Sequence, residues 1–135
     1  MQIKIIDFGI KNLPSRKHYN DAGADVYNNI TCTLQPHQTV TIPLGFGLEI
    51  PDGYAGYIFP RSSLASAGII CQLPPIDSGY RGQIHAIVTN NSSYPYSINE
   101  NDRIGQLVIM PVILATFVTT HNEQRNNGAF GSTGK

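Results

Sequence analysis

TVTIPLGFGLEI, residues 39–50, sets Val40, Ile42, Leu44, Phe46, Leu48 and Ile50 at a strict spacing of two. Successive side chains of a strand point to opposite faces, so the pattern predicts a half-buried strand, interrupted by Pro43 and by Gly45 and Gly47. Gln2-Ile3-Lys4-Ile5 alternates likewise. Residues 54–59, 84–89, 104–110 and 112–118 are further strand-like runs, rich in β-branched or aromatic side chains. Turn chemistry separates these runs: Pro51-Asp52-Gly53, Asp77-Ser78-Gly79, Asn90-Asn91-Ser92-Ser93 and Asn99-Glu100-Asn101-Asp102. A short helical turn is expected after Ser62-Ser63, with serine as N-cap and Gly68 as the stop. Many short strands joined by Gly/Pro turns predict an all-β sandwich or barrel, with no internal repeat and no linker.

A chain of 135 residues suits one domain with a real core. Hydrophobic residues make up 41% and charged residues 13%, a balance that argues against disorder. Nine Lys+Arg cancel nine Asp+Glu, so the chain has no electrostatic footprint for nucleic acid or an anionic membrane. No apolar run is long enough to span a bilayer, and MQIKIIDFGIKNL at the start has no signal-peptide core. Cys32 and Cys71 form no CxxC, and the four histidines have no zinc-type spacing. A reduced, cytoplasmic chain with two free thiols is the expectation. The barrel is expected over residues 1–120, with residues 121–135 (HNEQRNNGAFGSTGK) as a polar, glycine-rich arm. That arm is either a disordered tail or a segment that orders on a ligand.

Charge is scarce, so each charged cluster is informative. Phe59-Pro60-Arg61-Ser62-Ser63-Leu64-Ala65 offers an arginine fork and two hydroxyls, parts that suit phosphate oxygens. A proline turn with a serine cap and a surface arginine explains the same residues structurally. In Ile76-Asp77-Ser78-Gly79-Tyr80-Arg81-Gly82, Asp77 either opens a hairpin turn with glycine at a positive φ, or acts as a general base. As a base it would deprotonate a water beside Tyr80, whose ring could pack on a sugar. In Asp21-Ala22-Gly23-Ala24-Asp25, Asp25 either ties down a loop or reaches a hydrated Mg²⁺. Asp102-Arg103 reads most simply as an ion pair at a turn. No GxxxxGK[ST], GxGxxG or GxSxG string is present, so the usual nucleotide folds and the α/β-hydrolases have no support.

Taken in order, these strings resemble the five motifs of the homotrimeric dUTPases over roughly residues 21–134. They are Asp21–Asp25, Pro60–Ala65, Ile76–Gly82, Asp102–Gln106, and Arg125–Gly128 followed by Phe130-Gly131-Ser132-Thr133-Gly134. The resemblance implies a distorted jelly-roll β-barrel, assembled as a homotrimer with its active sites at the subunit interfaces. The reaction implied is dUTP + water → dUMP + pyrophosphate, with Mg²⁺ as cofactor. By the same resemblance, Asp77 holds the attacking water and Tyr80 packs on the deoxyribose. Arg61, Ser62 and Gln106 bind phosphates, Asp25 reaches Mg²⁺ through water, and Arg103 supports the site. Arg125, Gly131, Ser132 and Thr133 close on the phosphates while Phe130 covers the uracil. The hairpin before Asp77 reads the base, largely through its backbone.

The chain departs from that pattern in three places. Ser63, still counted among the substrate-binding residues, stands where glycine is common. Asn126, Asn127 and Ala129 interrupt the glycine run of the fifth motif. Gly68-Ile69-Ile70-Cys71-Gln72-Leu73-Pro74-Pro75 is shorter than the usual hairpin arm, lacks its asparagine and glycine, and carries two prolines that cannot donate. Gln72 is the candidate base reader there. Two rival readings remain at this stage: a dCTP-acting relative (a deaminase or a dCTP/dUTP pyrophosphatase), and a non-catalytic nucleotide sensor or regulatory protein on the same fold. Ile87 stands where the deaminases carry a glutamate, and an apolar side chain cannot shuttle a proton. A protein partner leaves no readable motif.

Overall fold

The computed structural model describes residues 1–121. In chain order its elements are β1 (Lys4–Asp7), β2 (Ala24–Tyr27), β3 (Cys32–Leu34), β4 (Thr39–Pro43), β5 (Phe46–Glu49), β6 (Tyr54–Phe59), α1 (Ser62–Ser66), β7 (Ile69–Cys71), β8 (His85–Asn90), β9 (Tyr96–Ile98) and β10 (Arg103–Pro111). They form four small sheets, β1-β5, β2-β10-β6, β3-β9 and β4-β8-β7. Every pairing is antiparallel, and most join strands distant in sequence, as in a distorted jelly roll.

Residues 39–50 show how the barrel closes. The stretch makes two strands: β4 pairs with β8, and β5 pairs with β1. The chain switches sheets at Leu44-Gly45, where Gly45 has φ +83°, a left-handed conformation that costs glycine little. The alternation survives the corner, so Ile42, Leu44, Phe46, Leu48 and Ile50 are all buried. Around them pack Val26, Leu34, Ile58, Ile69, Val88 and Ile104. Phe46 is a fully buried ring within this cluster, and truncating such a ring to alanine costs about 3–5 kcal/mol.

Four local expectations need correction. Residues 112–118 form no strand: β10 ends at Pro111, and Ile113, Leu114, Phe117 and Val118 are exposed. A strand needs an edge to pair with, and after the Val112 N–H donates to the Gly53 carbonyl at 2.9 Å no strand among the described residues pairs with this run. The N-cap of α1 is Arg61, not a serine, and it makes no side-chain capping bond. The helix is held instead by the burial of Leu64, and it stops before Gly68 at φ +84°. Finally, Gly79 does not take a positive φ; the Asp77–Tyr80 turn closes with the Tyr80 N–H donating to the Asp77 carbonyl at 3.1 Å. Asp102 and Arg103 do not pair with each other either. The Asp102 carboxylate accepts the Asn99 N–H across its turn, and Arg103 turns to Asp25.

Candidate active site

Cross-strand register builds the first cleft. β2 lies against β10 with Asp25 opposite Gln106, which places the first and fourth motifs side by side. β6 lies on the other edge of β10 and delivers Pro60-Arg61. A cleft of about 450 Å³ results, lined by Lys17, Asp21, Asp25, Arg61, Arg103 and Gln106, with Ala22 and Gly23 at its wall. The Asp25 carboxylate is 3.7 Å from the Arg103 guanidinium. Arg61 donates to the Arg103 carbonyl at 3.4 Å, and the Gln106 amide donates to the Pro60 carbonyl at 3.3 Å. Gly23 is needed here because a Cβ would collide with the Gln106 side chain.

The rim of this cleft is a short segment fixed to β2. Ser15 and Asp25 exchange backbone hydrogen bonds at 3.1 and 2.7 Å, so residues 16–21 arch over the mouth. The Asp21 carboxylate closes the arch by accepting the His18 N–H at 2.9 Å, and that bond holds its pKa below the ordinary carboxylate range. Three cations and two carboxylates therefore face one cavity, a surplus of positive charge that suits an anion. Among the described residues no cluster of three His, Cys, Asp or Glu could cage a metal. Asp21 and Asp25 are the carboxylates the cleft offers to a cation, and Mg²⁺ needs only one or two because it keeps several waters and takes phosphate oxygens as further ligands.

The second cleft, of about 220 Å³, lies against the Asp77 loop. Its floor comes from Ile58, Ile84 and Ile87, and its rim from Gln72, Pro74 and Pro75, with Asp77, Tyr80, Gln83 and His85 completing the wall. Ile76 anchors the loop by exchanging backbone hydrogen bonds with Gly56 at 3.0 and 2.7 Å. The Arg81 guanidinium donates to the carbonyls of Ser78, Tyr80 and Leu48, so its charge clamps the loop rather than facing the cavity. Two glycines seat the loop closely: a Cβ at Gly47 would stand 2.7 Å from the Gly82 carbonyl, and one at Gly82 2.5 Å from the Tyr80 hydroxyl. Tyr80 donates to the Gln83 carbonyl at 2.8 Å, which fixes a half-exposed ring beside Asp77. The Asp77 carboxylate is exposed and accepts no hydrogen bond among the described residues, leaving it available to a water.

The two clefts share no lining residue. Asp25, Arg61, Arg103 and Gln106 meet in one, while Asp77, Tyr80 and Gln72 meet in the other. Ser62 and Ser63 stand exposed on the first turn of α1 and line neither cleft. Arg125, Phe130, Gly131, Ser132 and Thr133 lie outside the described residues. Sequence reasoning passes over Lys17, which sits in an ordinary-looking basic run; its position just before Asp21 is the available signal. It also passes over Gln83 and His85. His85 shares with Ile87 the face of β8 opposite to Ala86 and Val88, so the period of two contains it, while Gln83 falls just before the strand.

The dUTPase family model matches residues 11–134. The chain is 42% identical over 131 residues to the deoxyuridine 5'-triphosphate nucleotidohydrolase of Leifsonia xyli subsp. xyli, covering 92% of this chain and 86% of that protein. It is 42% identical over 129 residues to the enzyme of the same name from Tropheryma whipplei, covering 90% and 88%. The fold is that of a mutant dUTPase from phage phi11 of S. aureus, whose structure details coordination of a structural Mg(II) ion. The TM-score is 0.83 at 24% identity, over 89% of this chain and 97% of that one.

Proposed function

The chain belongs to the dUTPase family and so hydrolyses dUTP, and we propose that it does so at sites completed between the subunits of a homotrimer. The observation that carries the shared site is the division of the machinery. One cleft holds a free carboxylate, a sugar-sized ring and an apolar floor, and the other holds the cations; no residue belongs to both. A nucleoside triphosphate needs both at once. Bringing one subunit's Asp77 cleft against a neighbour's Arg61 cleft supplies them together. The exposed Ile113, Leu114, Phe117 and Val118 support assembly, because a lone chain would leave them in water.

In this reading the base and deoxyribose occupy the Asp77 cleft, with the Tyr80 ring against the sugar. Asp77 orients a water and takes its proton as the water oxygen bonds to the α-phosphorus. The bond from that phosphorus to the bridging oxygen breaks, giving dUMP and pyrophosphate. Arg61 and Gln106 hold the phosphate oxygens, with Ser62 at the helix start beside them, and Arg103 keeps Asp25 in place. Mg²⁺, when bound, neutralises charge on the phosphates. Phosphoryl transfer asks little covalent chemistry of a protein, so positioning and charge suffice. Arg125, Gly131, Ser132, Thr133 and Phe130 are assigned to a closing arm that excludes water, on the sequence motif alone. Two free cysteines fit a reducing cytoplasm.

The test is pyrophosphate release from dUTP, dCTP, dTTP and UTP, each with Mg²⁺ and with chelator. Fast, Mg²⁺-dependent release from dUTP alone is the expected result. Ammonia release from dCTP would overturn it in favour of a deaminase, and tight dUTP binding without turnover would favour a sensor.

A further inference from the structure

Uracil presents two acceptors flanking one donor, so its site must supply two donors flanking one acceptor. The rim of the Asp77 cleft cannot do this from its backbone. Of residues 72–76, Pro74 and Pro75 have no N–H. The Gln72 N–H is spent on the Ile87 carbonyl at 2.8 Å, and the Ile76 N–H on the Gly56 carbonyl at 2.7 Å. Leu73 retains a backbone N–H with no acceptor among the described residues, but it does not line the cleft. Carbonyls are plentiful on the same arm, so the rim lacks a free backbone donor.

We propose that the Gln72 side-chain amide supplies that donor, making Gln72 the residue that selects uracil. This rests on the reading of the chain as a dUTPase whose base enters the Asp77 cleft. Gln72 lines the cleft, and it carries the arm's one side-chain amide. Its present partner is weak: the amide nitrogen reaches the Thr89 hydroxyl at 3.4 Å, a contact easily exchanged for a ligand oxygen. Gln83, the other amide on the wall, is held by its carbonyl oxygen, which accepts the Gly45 N–H at 3.0 Å, so its NH2 group is the competing donor that Gln83→Ala tests. Selection then falls to a side chain rather than to the arm's backbone. A site built to hydrogen-bond a substrate group rejects the analogue that leaves it unpaired.

The experiment compares Gln72→Ala, Gln72→Glu and Gln83→Ala with the unaltered chain on dUTP and dCTP, and measures dUMP binding. Gln72→Ala should raise KM for dUTP about tenfold with kcat within about twofold, and weaken dUMP equally, since both carry the base. Gln72→Glu replaces a donor by an acceptor and should cost dUTP more, while moving the dUTP/dCTP ratio toward dCTP. An unchanged KM in Gln72→Ala, or the same loss in Gln83→Ala instead, overturns the proposal. If the unaltered chain itself fails to cleave dUTP, it is the dUTPase reading that fails.

Discussion

The two clefts are made differently and are incomplete in opposite ways. The Asp77 cleft is walled by isoleucines and prolines, and the arginine of its loop, Arg81, is turned into the loop's own carbonyls. The Arg61 cleft is lined with charge and has no apolar floor on which a base could lie. The first is shaped to hold a neutral ring and position a water; the second is charged to hold phosphates. A fold that separates these tasks leaves each cleft with half of what a nucleoside triphosphate needs. In the proposed trimer neither cleft acts alone.

The largest effect should come from the Asp77 cleft. Asp77→Asn should lower kcat by about a thousandfold while leaving dUTP affinity within about twofold, the split expected of a general base; unchanged turnover would remove Asp77 from that role. Arg61→Ala should reduce kcat/KM for dUTP by about a hundredfold, because it removes charge stabilisation aimed at the phosphates. Equal weakening of dUTP and deoxyuridine binding would instead place Arg61 on the nucleoside. Lys17→Ala should cost about threefold in dUTP affinity, shrinking at high salt, with dUMP binding unaltered.

Much of this is legible in the residues. The alternation from Val40 to Ile50 identifies the core face correctly even though the stretch divides between two sheets, because a glycine corner need not shift the period. The 112–118 run misleads for the opposite reason. Its composition is strand-like, but a strand is a pairing, and no composition says whether the partner edge lies in the same chain. The separation of Asp77 from Arg61 is hidden likewise. Motif order along the chain says nothing about which motifs meet, and the Asp25–Gln106 register is visible only once β2 lies on β10. The Arg103–Asp25 contact follows from the same pairing, and it displaces the simpler pairing of neighbours Asp102 and Arg103.

Cys71 sharpens the comparison with least effect on turnover. It precedes the base-cleft rim, and burial pushes its thiol up to about 11, while its S–H donates to the Ile58 carbonyl at 3.3 Å. At pH 8 only about a thousandth of it would be thiolate, so iodoacetamide should label the less buried Cys32 first and reach Cys71 only on unfolding or at alkaline pH. Early labelling of Cys71 in the native protein would mean that this rim opens.

The shared site is tested most directly by mixing two inactive chains. Asp77→Asn and Arg61→Ala subunits, each inactive as a homotrimer, are combined under proven subunit exchange and assayed for dUTP hydrolysis. If each site takes Asp77 from one subunit and Arg61 from a neighbour, every mixed trimer regains one intact site, and an equal mixture should reach about a quarter of wild-type activity. No recovery in demonstrably mixed trimers would contradict the account and place Asp77 and Arg61 of a single chain in the same site.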